Sequence, residues 1–238
     1  MSPGQATCTA PVRATHMAVD FSSVIFDWRG TLVTTLSWQG WVEEALRLVG
    51  RRHLPPDVEE VLHGLNAVDA NEARLDAPGV DCDADVHRQT YLGVFADAGF
   101  DHELGEALCA VESDYRYNDF ATDVAPALRG LKQGGLRVAV LSDIHFDIRP
   151  AFDAAGLEGL VDSFVLSFEQ GVQKPDQAIF EAALTDLDAD RVETLMVGDR
   201  SRPDGGAVEC GITTLLLPPL RSSHDHRLNR VLMLCGRG

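Results

Sequence analysis

The sequence predicts an α/β protein in which a doubly wound parallel β-sheet is interrupted by an all-helical insert. Three observations carry that expectation. Five short runs are nearly continuous in apolar residues instead of alternating, as strands covered on both faces should be. Helical patterns separate successive runs, the arrangement of right-handed βαβ units. One long interval, residues 36 to 119, holds helical patterns and no convincing strand.

The first run, SVIFD (23 to 27), ends on Asp27 and is followed at once by Gly30 and Thr31, which reads as a strand leading into a tight loop. The insert comes next, with helices predicted over WVEEALRLVGRRH (41 to 53) and ADVHRQTYLGVFADAGF (84 to 100). Pro55-Pro56, Ala77-Pro78-Gly79 and Gly105 are expected to separate its helices. Beyond it, APALRGLKQGG (125 to 135) spaces its apolar residues helically and places a Gly pair where a helix C-cap belongs. Then strands LRVAVLSD (136 to 143), DSFVLS (162 to 167), TLMVGD (194 to 199) and ITTLLLP (212 to 218) alternate with helices predicted in IRPAFDAAGLEGLV (148 to 161) and PDQAIFEAALTDL (175 to 187). The expected organisation is a disordered leader at 1 to 20, a core domain at 21 to 35 and 120 to 238, and a helical lid at 36 to 119. Met17 offers an alternative start.

Composition narrows the partners. Twenty basic against thirty-seven acidic residues give a net charge of −17, a field that repels a phosphate backbone, so nucleic acid is not expected as a partner. A small anionic substrate would need local cations: a bound metal, a lysine or arginines. Lys132 and Lys174 are the only lysines. The five cysteines lie far apart with no CxxC pair, which argues against a disulfide framework or a structural zinc site and for a reducing compartment. No apolar run approaches the roughly 18 to 20 residues of a membrane span, and the first sixteen residues lack the apolar region of a signal peptide, so a cytoplasmic protein without membrane contact is expected.

In an open parallel sheet ligands bind at the carboxyl ends of the strands. Here Asp27 ends the first strand, Ser142 and Asp143 the second and Asp199 the fourth, with Lys174 just before the helix that leads to that fourth strand. Each alone reads as an ordinary N-cap or loop residue. Their joint order says more. DWRGTL (27 to 32), LSD (141 to 143), QKPD (173 to 176) and VGDRSRPD (197 to 204) resemble the four motifs of the haloacid dehalogenase superfamily. The similarity runs over roughly residues 21 to 218 and is weakest in the insert, whose place directly after the first motif matches the helical C1 cap of that superfamily's subfamily I.

The resemblance implies a Rossmann-like core and a Mg²⁺-dependent hydrolase acting on a small phosphorylated metabolite. By resemblance, Asp27 is the nucleophile that forms an aspartyl phosphate. Asp27, Asp199, the main-chain carbonyl of Arg29 and Asp204, the last through water or by orientation, would hold the metal. Thr31, Ser142, Asp143 and Lys174 would cradle the phosphoryl group, with Ser142 donating to it and Lys174 balancing charge. Mg²⁺ suits such oxygen ligands.

One position departs from the pattern. The family's phosphatases carry a second Asp two places after the nucleophile as general acid and base, and here that position is Arg29. Arginine keeps its proton throughout and cannot fill the role. Losing a general acid typically costs about 10² to 10⁴ in rate. The openings are a substrate with a good leaving group, such as an acyl or aryl phosphate, an acid supplied by the cap, or a phosphate-binding pseudoenzyme in which Arg29 clamps the anion. Phosphonoacetaldehyde hydrolases share a similar opening but need a cap lysine, and no lysine lies between Asp27 and Lys132. The 2-haloacid dehalogenases need no metal and usually lack an acid where Asp199 stands, which favours phosphoryl chemistry here. His145 is a candidate replacement acid with a structural role preferred, the His224-Asp225-His226 cluster is expected to be solvated, and Trp38, Trp41, Arg47, Arg74, Arg88, Tyr115, Arg116 and Tyr117 are candidates for substrate selection, none favoured.

Overall fold

The computed structural model describes residues 20–69 and 74–237, so the leader expected at 1 to 20 lies outside the described residues apart from Asp20. Five strands, β1 (Ser23–Phe26), β2 (Arg137–Ser142), β3 (Ser163–Leu166), β4 (Thr194–Gly198) and β5 (Thr213–Leu216), form one parallel sheet in the order β3-β2-β1-β4-β5. β1 is central, and Phe26 pairs in register with Val140 of β2 and Val197 of β4. The carboxyl ends of the three middle strands therefore share one rim.

Successive side chains of a strand face opposite ways, and this sheet buries both faces. Val24, Phe26, Val138, Val140 and Val197 pack with Ala127, Leu128 and Leu131 of α5 (Val124–Gln133), Phe152 of α6 (Arg149–Ala154) and Val231 of α9 (Asn229–Leu234). Ile25, Ala139, Leu141, Val165 and Met196 pack with Ile179, Phe180 and Ala183 of α8 (Gln177–Asp186). A short helix, α7 (Ser167–Gln170), follows β3. The edge strand β5 departs from the predicted buried type: Thr213 and Leu216 are exposed, because only β4 flanks it. The helix expected over 148 to 161 stops at Ala154, since Gly156 and Gly159 both take positive φ, which ends a right-handed helix.

The insert folds as α1 (Trp38–Leu48), α2 (Pro55–Asp69), α3 (Ala84–Asp97) and α4 (His102–Glu112), with a core of its own built from Trp41, Val42, Ala45, Leu46, Val94, Phe95, Leu104 and Leu108. Trp41, Val42, Ala45 and Leu46 recur at helical spacing, so one stripe of α1 is buried. The Trp41 indole N–H donates to the Leu108 carbonyl at 2.8 Å and ties α1 to α4. Ser37, Asp83 and Asp101 cap α1, α3 and α4 through main-chain amides, as the preference for such residues at helix starts requires. Pro55 opens α2, where its missing N–H costs nothing. Gly105, expected to break a helix, lies inside α4 instead, on its buried face, where a Cβ would make only ordinary contacts with Leu92 and Phe95. Among the described residues no helix is long and apolar enough to cross a membrane.

Candidate active site

At the rim, Asp27 leaves β1 with its amide donating to the Val197 carbonyl of β4 at 2.9 Å, which fixes the residue at the sheet edge. The residue is 3% exposed. Lys174 Nζ donates to Asp27 Oδ1 at 2.7 Å and to Asp204 Oδ1 at 2.6 Å, while the Thr31 hydroxyl donates to Asp27 Oδ2 at 2.9 Å. The same hydroxyl lies 3.4 Å from Asp199 Oδ1. Asp143 accepts the Lys174 main-chain N–H at 2.8 Å and approaches the Arg200 guanidinium at 3.8 Å. Ser142, buried, closes β2 beside it.

Two glycines make this convergence possible. Gly30 takes φ +81°, and a Cβ there would stand 2.6 Å from Asp199 Oδ2, so the loop after β1 could not otherwise lie against Asp199. A Cβ on Gly198 would stand 2.3 Å from the Asp204 carboxylate. Asp204 is fully buried, and its second oxygen accepts the amides of Asp199 and Arg200 at 3.0 and 2.8 Å. Both Asp204 oxygens are thus engaged within the protein, which makes this carboxylate an orienting group for Lys174 and for the loop bearing Asp199.

The electrostatics are strained toward negative charge. Four carboxylates (Asp27, Asp143, Asp199, Asp204) crowd around one buried ammonium and the Arg200 guanidinium. Burial raises the Asp27 carboxyl above its usual range, with Lys174 pulling it back. Burial, Asp27 and Asp204 push Asp199 up to about 6. Burial opposes the charge on Lys174, and Asp27, Asp143 and Asp204 overcome it and hold the amine protonated. One oxygen each from Asp27, Asp199 and Asp204 lie within 4.8 Å of one another. Such an oxygen-donor set with surplus negative charge fits a divalent cation.

Arg29 does not face this cluster with its guanidinium. Nη1 donates to Glu112 Oε1 at 2.5 Å, Nη2 donates to the Glu112 carbonyl at 2.7 Å and lies 3.4 Å from Asn118 Oδ1, and the group sits between the Trp28 and Phe146 rings, 5.6 and 5.3 Å from their centroids. The Nη atoms are therefore committed to the cap, whereas the alternative of a phosphate-binding pseudoenzyme would need them turned to the anion. The predicted residues Asp27, Thr31, Lys174, Asp199 and Asp204 are brought together, with Asp143 and Ser142 alongside, and the Arg29 side chain turns instead to Glu112.

Sequence reasoning missed the residues that dock the cap. The Gly79 amide donates to Gln173 Oε1 at 2.7 Å and the Ser167 hydroxyl to the Asp81 carbonyl at 2.6 Å. His145 bonds Ser113 at 2.8 Å and stacks on His87 of α3. Gln173 could have been singled out, because it stands in the motif with Lys174; nothing local marked Glu112 or His87. Among the cap candidates, Trp38, Trp41 and Tyr117 line a cavity of about 330 Å³ with Arg29, Tyr91 and Glu112. Arg47, Arg74, Arg88 and Arg116 pair instead with Glu44, Asp97, Glu106 and Asp114, and Tyr115 packs against the sheet core. A second crevice, about 820 Å³, runs along the seam past Asp143, Gln173, Lys174, Arg200 and Arg202. In the 224 to 226 loop His224 and His226 are exposed, and Asp225 accepts the Arg221 and Ser222 amides.

A sequence model described as haloacid dehalogenase-like hydrolase matches residues 21–209. No curated protein matches the chain in sequence. Among solved structures, the chain is similar to a 2-haloacid dehalogenase from Pseudomonas syringae (21% identity, 91% of this chain and 99% of that one, TM-score 0.63). It is similar also to a HAD phosphatase from Thermococcus onnurineus (20% identity, 91% and 99%, TM-score 0.61). A third is a HAD-superfamily hydrolase of subfamily IA, variant 1, from Geobacter sulfurreducens (18% identity, 94% and 100%, TM-score 0.63). At these identities the likeness speaks for the fold.

Proposed function

The chain belongs to the haloacid dehalogenase-like hydrolases, and from that premise we propose that it is a Mg²⁺-dependent phosphatase of a small phosphorylated metabolite with a good leaving group. The observation that carries this reading is the carboxylate cluster of Asp27, Asp199 and Asp204 at the sheet rim. A hydrolase displacing halide from carbon has no need for a cation there, whereas a phosphatase does. Mg²⁺ would be held by Asp27, Asp199 and the Arg29 main-chain carbonyl, with Asp204 behind them. When bound it offsets the surplus negative charge, so that Asp27 stays ionised, and it draws off charge from the phosphoryl oxygens.

An Asp27 oxygen attacks phosphorus, the P–O bond to the leaving group breaks with its electron pair, and an aspartyl phosphate results. Water then attacks that phosphorus, releasing phosphate and restoring the Asp27 carboxylate. Lys174 balances the charge of both states, and Ser142, Thr31 and neighbouring amides receive the phosphoryl oxygens. No group at position 29 can protonate the departing oxygen. Acyl and aryl phosphates, whose leaving groups depart as stable anions, are accordingly the expected substrates.

A panel of acetyl phosphate, para-nitrophenyl phosphate and 2-haloacids, assayed with and without Mg²⁺, tests the reading. Phosphate release that requires Mg²⁺ and disappears in Asp27→Asn is the expected result. Halide release in EDTA would overturn it.

A further inference from the structure

Four polar side chains that the phosphatase reading does not use meet where the cap lies on the core. Asp81, in the 3₁₀ turn Val80–Cys82, His87 of α3 and Glu112 of α4 come from the insert; His145 comes from the loop after β2. His87 is 1% and His145 5% exposed, and their rings lie face to face with centroids 3.3 Å apart and planes 8° from parallel. Asp81 Oδ1 stands 3.8 Å from His87 Nε2 and 3.5 Å from His145 Nδ1. Glu112 Oε2 stands 3.5 Å from His87 Nε2 and 3.1 Å from His145 Nε2.

These short separations are not hydrogen bonds. His87 Nε2, His145 Nδ1 and Glu112 Oε2 are buried and have no partner of acceptable geometry. Nearly all buried polar atoms in folded proteins are partnered, so two orphaned imidazole nitrogens that both face Asp81 Oδ1, with the orphaned Glu112 Oε2 beside His87, point to a group that takes up their lone pairs. One ligand atom each from Asp81, His87 and His145 lie within 4.8 Å of one another. A tetrahedral ion at 2.0 to 2.1 Å from nitrogen and oxygen ligands separates them by about 3.4 Å, within a few tenths of an ångström of the Asp81 distances.

We propose that Asp81, His87 and His145, with Glu112 behind them, form a second metal site, selective for a zinc-class divalent ion, that joins the cap to the core. Imidazole ligands favour zinc, cobalt or nickel over magnesium, which separates this site from the all-oxygen set around Asp27. A metal accepts an imidazole lone pair in the plane of the ring, so binding must rotate the two parallel rings about their Cβ–Cγ bonds and splay them apart. Because ligands come from both insert and core, the ion acts as a removable clasp across the seam.

The test uses the full chain, free of any affinity tag, stripped with a chelator and titrated with Co²⁺ in saturating Mg²⁺. One equivalent of Co²⁺ is expected to bind with the visible absorption of nitrogen-ligated cobalt and to be displaced by Zn²⁺. His87→Gln and His145→Gln should each weaken it by more than the roughly 10- to 100-fold that losing an outer-shell partner costs. X-ray absorption of the wild-type zinc form is independent of how the variants fold and should show imidazole scattering. Equal Co²⁺ binding by the wild type and the His87→Gln/His145→Gln double variant, or an all-oxygen zinc shell, overturns the proposal. Neither readout depends on phosphatase activity.

Discussion

Arg29 holds Glu112 across the seam through both its side-chain carboxylate and its main-chain carbonyl. The residue two places after Asp27 is thereby given to the docking of the cap. Burial works against the Glu112 charge, and the Arg29 guanidinium overcomes it and holds the carboxyl below its usual range.

Breaking that pair strands a largely buried charge. Arg29→Ala and Glu112→Gln are each expected to lower stability by about 2 to 4 kcal/mol. The double variant should lose less than the sum, by about 1 to 3 kcal/mol in a double-mutant cycle followed by urea unfolding. Strict additivity would show that the contact contributes nothing.

Restoring the family's acid therefore takes two changes. Arg29→Asp alone sets a second carboxylate against Glu112, so it should weaken cap docking and gain little activity. Arg29→Asp with Glu112→Gln should raise kcat on alkyl phosphates relative to Arg29→Asp, by as much as about 10². Equal rates for the two variants would count against the missing acid as the limit.

Lys174→Met removes the ammonium between Asp27 and Asp204. Leaving that crowded pair without its counter-ion should cost about 3 to 5 kcal/mol, or roughly 10 °C in Tm, together with activity. Adding Mg²⁺ should recover part of the Tm, since the cation offsets the same charge. Calorimetry with and without Mg²⁺ reads both effects.

Asp199 titrates near 6 without metal, and a cation binds only its ionised form. Protons therefore compete below pH 6: Mg²⁺ affinity should fall about tenfold for each unit from pH 6 to pH 4 and level off above about 7. Titrating Mg²⁺ against Tm at several pH values measures the slope. A flat profile would mean that Asp199 is not a ligand.

The strands were legible because a buried strand is a local signal, and so were Asp27, Thr31, Lys174, Asp199 and Asp204, because each sits at a strand end or in a motif of fixed spacing. Register then did the rest: once Phe26 pairs with Val140 and Val197, the residues that follow must share a rim. Gly105 was misread because a glycine that breaks a helix and one carried inside it look alike in sequence. The seam was illegible for a different reason. Arg29 and Glu112 are 83 residues apart, and nothing local in either position announces the other. What the cap touches is decided by how two separately packed units meet, which periodicity cannot encode.

Asp27 and Lys174 are almost wholly shielded from water. With the lid resting on the sheet, little of either side chain meets bulk solvent, so turnover is expected to include a parting and a reseating of the two halves. The ceiling on throughput then belongs to that excursion as much as to bond making, and a more viscous medium should slow the enzyme even when the chemistry is fast.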